Sequence, residues 1–237
     1  MAGSTLLQTK GLTAFYGDAQ ALFGIDFEVD AGELVAIIGA NGAGKSTFMK
    51  AVTGLVKAAP GQIRFKGEAI GGAPPGEIVR RGIALVPEGR RLFPSMNVEE
   101  NLQMGSFAAR PGPWNLQRLY KLFPILAEKK AAPATSLSGG QQQMVAIGRA
   151  LMSNPTLLLC DELSLGLAPI VIKEIYNAMP SICLEGMTVV IVEQDVAMAQ
   201  QVSNRIYCFQ EGQVSLQGRS SEVSRAQISQ AYFGTPS

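Results

Sequence analysis

A glycine-rich run in the first fifth of the chain has the composition and spacing of a phosphate-binding loop. It fits the pattern G-x-x-x-x-G-K-[ST] without a mismatch, and its residues are Gly39, Ala40, Asn41, Gly42, Ala43, Gly44, Lys45, Ser46 and Thr47. Glycines let the backbone turn closely enough for several N–H groups to point at phosphate oxygens. We expect Lys45 to reach the β- and γ-phosphates and the Ser46 hydroxyl to ligate Mg²⁺. The bland alternative is a glycine-rich turn that leads into a helix.

The residues on either side of this run, called the phosphate loop below, supply the elements that such a loop needs. Residues 34–38 are a short apolar run suited to a buried parallel strand, and residues 46–52 can continue as a helix. The dipole of that helix favours an anion at its N-terminus. The loop and its flanks therefore predict a nucleoside triphosphate site, although they do not say how the energy is used.

A second apolar run, residues 157–160, ends in the acids Asp161 and Glu162. An aspartate at the tip of a buried strand beside a phosphate loop can hold Mg²⁺ through its water shell. Glu162 is then placed to take a proton from the attacking water. Two acids after an apolar run are, on their own, more often a strand end that meets solvent, but the phosphate loop reverses that preference.

A third group suggests another anion site, and its residues are Leu137, Ser138, Gly139, Gly140 and Gln141. A serine and two glycines at a helix start expose N–H groups and a hydroxyl to phosphate, although a simple serine N-cap has the same pattern. One phosphate is not easily served by both sites of a single chain. Here the chain resembles the ATP-binding subunits of ABC transporters, whose signature motif these residues reproduce, and the resemblance covers nearly all of residues 5–235.

The resemblance implies a composite site with ATP and Mg²⁺ as cofactors. In this family two chains form a head-to-tail dimer, and each signature caps the ATP held by the other chain's phosphate loop. Tyr16 falls at the aromatic position that stacks on adenine, with a strand aromatic in the core as the alternative. Residues 164–169 lie where the family makes contacts across the dimer. The tract after Glu88 lies where the family meets the coupling helix of a transmembrane subunit.

Two positions depart from the common family pattern, because Glu88 replaces a glutamine and Gln194 replaces the switch histidine. Gln194 can donate a hydrogen bond to a γ-phosphate, so we group it with Glu162 and Lys45 as a catalytic residue, but it cannot shuttle a proton. Glu88 can accept a hydrogen bond from metal-bound water, which makes it a nucleotide and metal contact beside Ser46 and Asp161. These two departures indicate either a degenerate site that does not hydrolyse ATP or a feature that is characteristic of one subfamily.

The subfamily reading is favoured by residues 86–94 and 192–194, which resemble the second ATPase subunit of branched-chain amino acid importers. That resemblance implies an ATP hydrolase that energises import of branched-chain or other hydrophobic amino acids through ATP-driven dimer closure. It also implies three kinds of partner. The first is a second ABC ATPase subunit, which forms a heterodimer with this chain or is replaced by a second copy in a homodimer when the chain is isolated. The others are two permease subunits and an extracytoplasmic substrate-binding protein. The alternatives are a soluble ABC ATPase outside transport and a regulatory ABC subunit with little hydrolysis.

Strands that alternate with helices predict an α/β fold with a mostly parallel sheet covered on both faces. With the resemblance, the expected fold is a P-loop NTPase (RecA-like) core with an N-terminal antiparallel β layer and an inserted helical subdomain. We expect a single domain over residues 5–235, with 5–88 and 142–235 as the nucleotide-binding core and 89–141 as the helical subdomain with the signature. Two local expectations are a hairpin turn at residues 30–33 and a kink or helix end at Pro180.

Composition narrows the class of protein. The chain has 237 residues, with 20 Lys and Arg against 19 Asp and Glu. The net charge is therefore too small to attract nucleic acid over a distance, and we expect no nucleic acid partner. Histidine is absent, which excludes a histidine base, metal ligand or phosphate sensor. Three dispersed cysteines suggest reduced core residues. Neither a signal peptide nor a membrane-spanning run is apparent, so we expect a peripheral subunit, held by its permeases at the cytoplasmic face of the inner membrane.

Overall fold

Two β-sheets organise the chain, and a computed structural model describes them for residues 4–233. The strands in this range are β1 (Thr5–Tyr16), β2 (Ala19–Asp30), β3 (Leu34–Ile38), β4 (Ile63–Phe65), β5 (Glu68–Ala69), β6 (Ile83–Val86), β7 (Leu157–Asp161), β8 (Thr188–Val192), β9 (Arg205–Gln210) and β10 (Gln213–Arg219). The α-helices are α1 (Lys45–Val52), α2 (Pro75–Arg81), α3 (Val98–Gln103), α4 (Leu116–Leu122), α5 (Pro124–Glu128), α6 (Gly139–Leu151), α7 (Pro169–Leu184), α8 (Val196–Val202) and α9 (Arg225–Phe233).

The first sheet is antiparallel, with the strand order β2-β1-β4-β5. In β2 the apolar residues Ile25, Phe27 and Val29 are buried, whereas Asp26 and Glu28 are exposed. One face of this sheet therefore packs on the core, as alternation predicts for a half-buried sheet. The β1–β4 register pairs the short strand at residues 63–65 with the first strand of the chain.

The second sheet has six strands in the order β10-β9-β3-β8-β7-β6, and it carries the phosphate loop. All neighbours are parallel except β10, which runs antiparallel to β9. Every residue of β3, β7 and β8 is buried, which explains their continuous apolar sequences. The predicted α/β class, with a mostly parallel sheet and an antiparallel layer, is confirmed.

The prediction of a hairpin turn at residues 30–33 is wrong. The chain does turn there, since the Glu33 N–H donates to the Asp30 carbonyl at 3.2 Å. However, β2 belongs to the first sheet and β3 pairs with β8 and β9 in the second. The turn is therefore a crossing between sheets, and the Gly32 N–H is anchored on the Thr188 hydroxyl at 2.8 Å. The sequence does distinguish the two sheets. Apolar and polar residues alternate in β2, as in a sheet buried on one face, whereas β3 is apolar throughout, as in a sheet buried on both faces.

A kink or a helix end was expected at Pro180, and the prediction of a helix end is wrong. Helix α7 runs from Pro169 to Leu184, with Pro180 on its exposed side. Proline removes one helical hydrogen bond and crowds the preceding turn. The buried residues Tyr176, Met179 and Ile182 lie on both sides of that defect. Packing of this apolar face holds the helix together across the proline.

Helices α3, α4 and α5 lie between β6 and β7 in the sequence. Helices α3 and α5 pack against α6, and α4 packs against α3 and α5. The buried residues Leu102 of α3, Leu119 of α4 and Phe123 between α4 and α5 join a core cluster that also contains Trp114. The subdomain boundaries at residues 89 and 141 remain a prediction. Within residues 4–233, none of the helices combines the length and apolar character needed to cross a bilayer.

Candidate functional site

The phosphate loop joins the end of β3 to the start of α1, and two of its glycines are required by space. At Gly39 (φ 149°) a Cβ atom would lie 2.2 Å from the Phe209 carbonyl oxygen. At Gly44 (φ 99°) it would lie 2.8 Å from the Leu22 side chain. A side chain at either position would push the loop away from the sheet, so only glycine fits.

Lys45 is the first residue of α1, and its side chain folds back into the loop. Its Nζ donates to the carbonyl oxygens of Gly39 at 2.7 Å and Ala40 at 2.9 Å. Burial lowers the pKa of the ammonium, and the carboxylates of Glu162 and Asp161 oppose that shift. The loop thus holds a cation, and the backbone N–H groups of such glycine-rich loops can add to the binding of a polyphosphate.

Asp161 ends β7 directly beside the phosphate loop. The Ser46 hydroxyl donates to its Oδ1 at 3.0 Å. Burial raises the pKa of this carboxyl, the Ser46 hydrogen bond opposes the rise, and the nearby Glu162 and Glu88 add to it. A carboxylate and a hydroxyl are hard oxygen ligands, and Mg²⁺ is commonly held by one or two carboxylates together with substrate phosphates. The donor set at Ser46 and Asp161 therefore fits Mg²⁺.

Glu162 and Gln194 meet because β7 and β8 are parallel neighbours that end at the same edge of the sheet. Gln194 Nε2 donates to Glu162 Oε2 at 2.9 Å. Glu162 has a left-handed backbone (φ 52°), which is uncommon for a residue other than glycine and is concentrated at functional sites. Its N–H donates to the Val192 carbonyl at 3.1 Å, so the neighbouring strand holds this conformation.

A cavity of about 680 Å³ brings nine of the predicted residues together, and this volume is within the range of small-molecule sites. The predicted residues that line it are Asn41, Gly42, Gly44, Lys45, Ser46, Thr47, Glu88, Glu162 and Gln194. Asp161 contacts Ser46 at its edge and lines an adjacent cavity together with Glu88. Gly39, Ala40 and Ala43 shape the loop without lining the cavity.

Tyr16 does not line this cavity, whereas six residues that were not predicted do. Its side chain is half-exposed, and its hydroxyl lies 3.4 Å from the Thr47 hydroxyl. The residues that the sequence did not predict are Gln20, Ala21, Phe23, Leu165, Glu211 and Gly212. The register of β1 and β2 slips at Gly24 (φ 87°), and that bulge turns Phe23 out of the core. A glycine inside a strand is the signal that could have indicated the bulge.

The signature residues lie at the start of α6. The Gln141 N–H donates to the Ser138 hydroxyl at 3.3 Å, and the Ser138 N–H donates to the Gln141 amide oxygen at 3.1 Å. This capping box explains why α6 begins at Gly139, directly after Ser138. Gly140 is buried, and a Cβ there would lie 2.2 Å from the Val171 side chain. Leu137 is also buried, whereas the Ser138 side chain is exposed.

None of the five signature residues lines the 680 Å³ cavity formed by residues 4–233. The structure thus brings together the phosphate loop, the two acids that end β7, Glu88 and Gln194, but not the signature. One chain holds an anion-binding loop with its acids and, elsewhere on its surface, an exposed serine at a helix N-terminus.

Comparisons with known proteins find matches over most of the chain. The family model described as ABC transporter matches residues 22–164. The chain is 43% identical over 232 residues to the high-affinity branched-chain amino acid transport ATP-binding protein BraG of Pseudomonas aeruginosa, covering 97% of this chain and 100% of that protein.

Solved structures resemble the whole fold. One is an ATP-binding cassette of an ABC transporter, with a TM-score of 0.83, 29% identity and coverage of 97% of this chain and 99% of that one. Another is the dimeric post-hydrolysis state of an ATP-binding cassette bound to ADP and Pi, with a TM-score of 0.80, 26% identity and coverage of 91% and 99%.

Proposed function

This chain belongs to the ABC transporter family, and on that premise we propose that it hydrolyses ATP to energise the import of branched-chain amino acids. The proposal rests on one observation. Two hydrogen-bonded pairs, Ser46–Asp161 and Glu162–Gln194, lie together beside the phosphate loop. The amino-acid class is supported by the name of the Pseudomonas relative, which is similar over its full length.

The chemistry follows from the positions of these side chains. The loop N–H groups and Lys45 hold the β- and γ-phosphates. Ser46 and Asp161 would hold Mg²⁺, with Glu88 facing the same space, and the ion would neutralise charge on the phosphate oxygens. Glu162 accepts the proton of the attacking water, because its carboxylate lines the cavity. Gln194 orients that carboxylate and offers its remaining N–H to the γ-phosphate.

The site is proposed to be completed by a second ATPase chain. Ser138 and the glycines that follow it form an anion-binding helix start that is separate from the cavity of their own chain. A head-to-tail pairing brings each signature onto the ATP of the other chain. The similar solved structure that is dimeric with ADP and Pi supports this pairing. In the working transporter we propose a heterodimer with a related ATPase subunit.

The remaining partners are proposed from the transport role. Two permease subunits would supply the pathway, an extracytoplasmic substrate-binding protein would deliver the amino acid, and this chain would lie at the cytoplasmic face of the inner membrane. Support comes from the names of the relatives, which are transport ATP-binding proteins. The tract after Glu88 is the proposed contact with the permease.

The test is ATP-driven uptake in vesicles that contain the chain with its permeases and binding protein. We expect ATP-dependent accumulation of labelled leucine, lost when Lys45 is changed to Ala and retained in a control that changes the exposed Lys57 to Ala. Uptake of glutamate and not of leucine would replace the proposed substrate class.

A regulatory subunit that binds ATP with little turnover is the second candidate, and it is favoured by one observation. The residue beside Glu162 is a neutral glutamine, which cannot carry a proton or a charge. Leucine uptake by vesicles in which only the partner ATPase hydrolyses ATP would support this candidate and would remove the hydrolytic role from the present chain.

A further inference from the structure

A buried carboxylate outside the cavity adjoins the proposed catalytic residues. Glu193 directly precedes Gln194 and is fully buried, with 0% of its surface exposed. Burial raises its pKa, while hydrogen bonds from Ser164, Tyr176 and the Gln194 backbone favour the charged form. Burying a carboxylate without a cationic partner costs free energy, so a carboxylate at this position calls for an explanation.

The Glu193 side chain joins three parts of the molecule. Its Oε2 accepts a hydrogen bond from the Ser164 hydroxyl at 2.5 Å, and its Oε1 accepts one from the Ser164 N–H at 3.3 Å. The hydroxyl of Tyr176, on α7, donates to the same Oε1. Its own backbone N–H donates to the carbonyl of Ile37 at 3.1 Å, next to the phosphate loop. One carboxylate therefore connects the end of β8, the segment after Glu162 and α7.

The elements that Glu193 connects are those that hold the reacting groups. Ser164 lies two residues after Glu162, and Leu165 of the same segment lines the cavity. Gln194 follows Glu193 and donates to Glu162. Among the described residues no salt bridge includes Glu193, so its charge is balanced by hydrogen bonds alone. Apolar packing would fill such a position at lower cost if only stability were needed.

We propose that Glu193 is a positioning residue for ATP hydrolysis, which locks the segment 164–168 to the end of β8 so that Glu162 and Gln194 keep their mutual geometry. It acts through these residues and does not touch the nucleotide. The inference rests on the proposed ATPase function and adds a residue to it. The same lock fixes most of residues 164–169, where the family resemblance implies contacts with the second chain.

The test compares turnover with nucleotide binding in Glu193→Gln. The glutamine keeps the shape of the side chain but replaces one acceptor oxygen with an N–H₂ group, which must face the donors of Ser164 or Tyr176. We expect kcat to fall by about tenfold or more, because small misplacements of reacting groups cost that much. KM and the Kd for ATP should stay within about twofold, because uniform binding is untouched.

Tyr120→Phe is a matched control for the loss of a tyrosine–glutamate hydrogen bond. The Tyr120 hydroxyl donates to Glu99 Oε2 at 2.6 Å between α4 and α3, away from the cavity. Tyr176→Phe removes the corresponding bond to Glu193. We expect kcat to fall in Tyr176→Phe and to stay at the wild-type value in Tyr120→Phe, although both variants lose stability.

Coupling is measured by combining Ser164→Ala with Glu193→Gln. If both act on one lock, the double variant loses little more kcat than Glu193→Gln alone. Should Glu193→Gln fail to fold, Ser164→Ala and Tyr176→Phe test the same lock, since each removes one donor and leaves the carboxylate. Wild-type kcat in the folded variants, with only the melting temperature lowered, would overturn the inference. A wild-type complex without any turnover would instead contradict the proposed function itself, and this inference with it.

Discussion

At the scale of single residues, the hydrogen bond between Gln194 and Glu162 restricts what each can do. A glutamine amide has two N–H donors and one acceptor, and one donor is already used by Glu162 Oε2. Among residues 4–233 the other donor has no partner, so it can contact a γ-phosphate oxygen. Gln194 can therefore hold the base and the phosphate together, but the proton taken from water must leave through Glu162 or through solvent.

Changing Glu162 to Gln removes the proposed base while keeping its shape. We expect ATP binding to persist, hydrolysis to fall by about a hundredfold or more, and an ATP-bound dimer to accumulate. Turnover of purified transporter and size-exclusion chromatography with ATP measure these effects. Unchanged turnover would remove Glu162 from its role.

Changing Gln194 to Ala removes both the contact to Glu162 and the donor aimed at phosphate. Turnover should fall by about tenfold while nucleotide binding persists, since the phosphate loop and Lys45 are intact. The exposed Gln117, changed to Ala, is a control for loss of the same side chain elsewhere. A wild-type rate in reconstituted vesicles would mean that Gln194 does not sense the phosphate.

At the scale of elements, helix α6 connects the signature to the tract after Glu88. Arg149 in its last turn donates to the carbonyl oxygens of Arg91 at 2.8 Å and Arg90 at 3.0 Å. Its guanidinium also lies 5.3 Å from the Phe93 ring centroid. Arg90 and Arg91 both have left-handed backbones (φ 64° and 48°), a conformation that needs support from outside. Arg149 supplies that support.

Changing Arg149 to Met keeps the apolar stem and removes the guanidinium. We expect the free energy of unfolding to fall by about 1–3 kcal/mol, because two carbonyl oxygens lose a charged donor. Denaturation in urea measures the change. Arg64, which is exposed and donates to one carbonyl oxygen, is the matched control, and its change to Met should cost less. Equal losses in both variants would contradict the supporting role.

The sequence predicted those elements whose signal is local. The phosphate loop and the buried strands β3 and β7 follow from glycine spacing and apolar runs, whereas the antiparallel layer was expected from the family resemblance. The position of Phe23 at the cavity did not follow, because it depends on a bulge in the pairing of β1 with β2. The passage from β2 to β3 was misassigned because a short polar turn looks the same within one sheet and between two.

At the scale of the whole molecule, the separation of signature and cavity gives a direct test of pairing between chains. One variant has Lys45→Met and an intact signature, and the other has Ser138→Arg and an intact phosphate loop. Each should be inactive alone. Mixed in equal amounts, they should recover about a quarter of wild-type ATPase activity, since half of the dimers then contain one intact site of two. Wild-type turnover of the isolated chain is the reference, and no recovery would contradict a signature that acts on the other chain.

The neighbours of β3 have a consequence for how the protein is made. This strand carries the phosphate loop, but its partners β8 and β9 lie about 155 to 170 residues further along the chain. During synthesis at the usual rate, roughly ten to thirty seconds separate these segments. An apolar strand must wait through that interval, and such long-range parallel pairing also slows folding. Ribosome-bound chains arrested before β8 emerges should therefore fail to retain ATP and should recruit chaperones that bind exposed apolar segments.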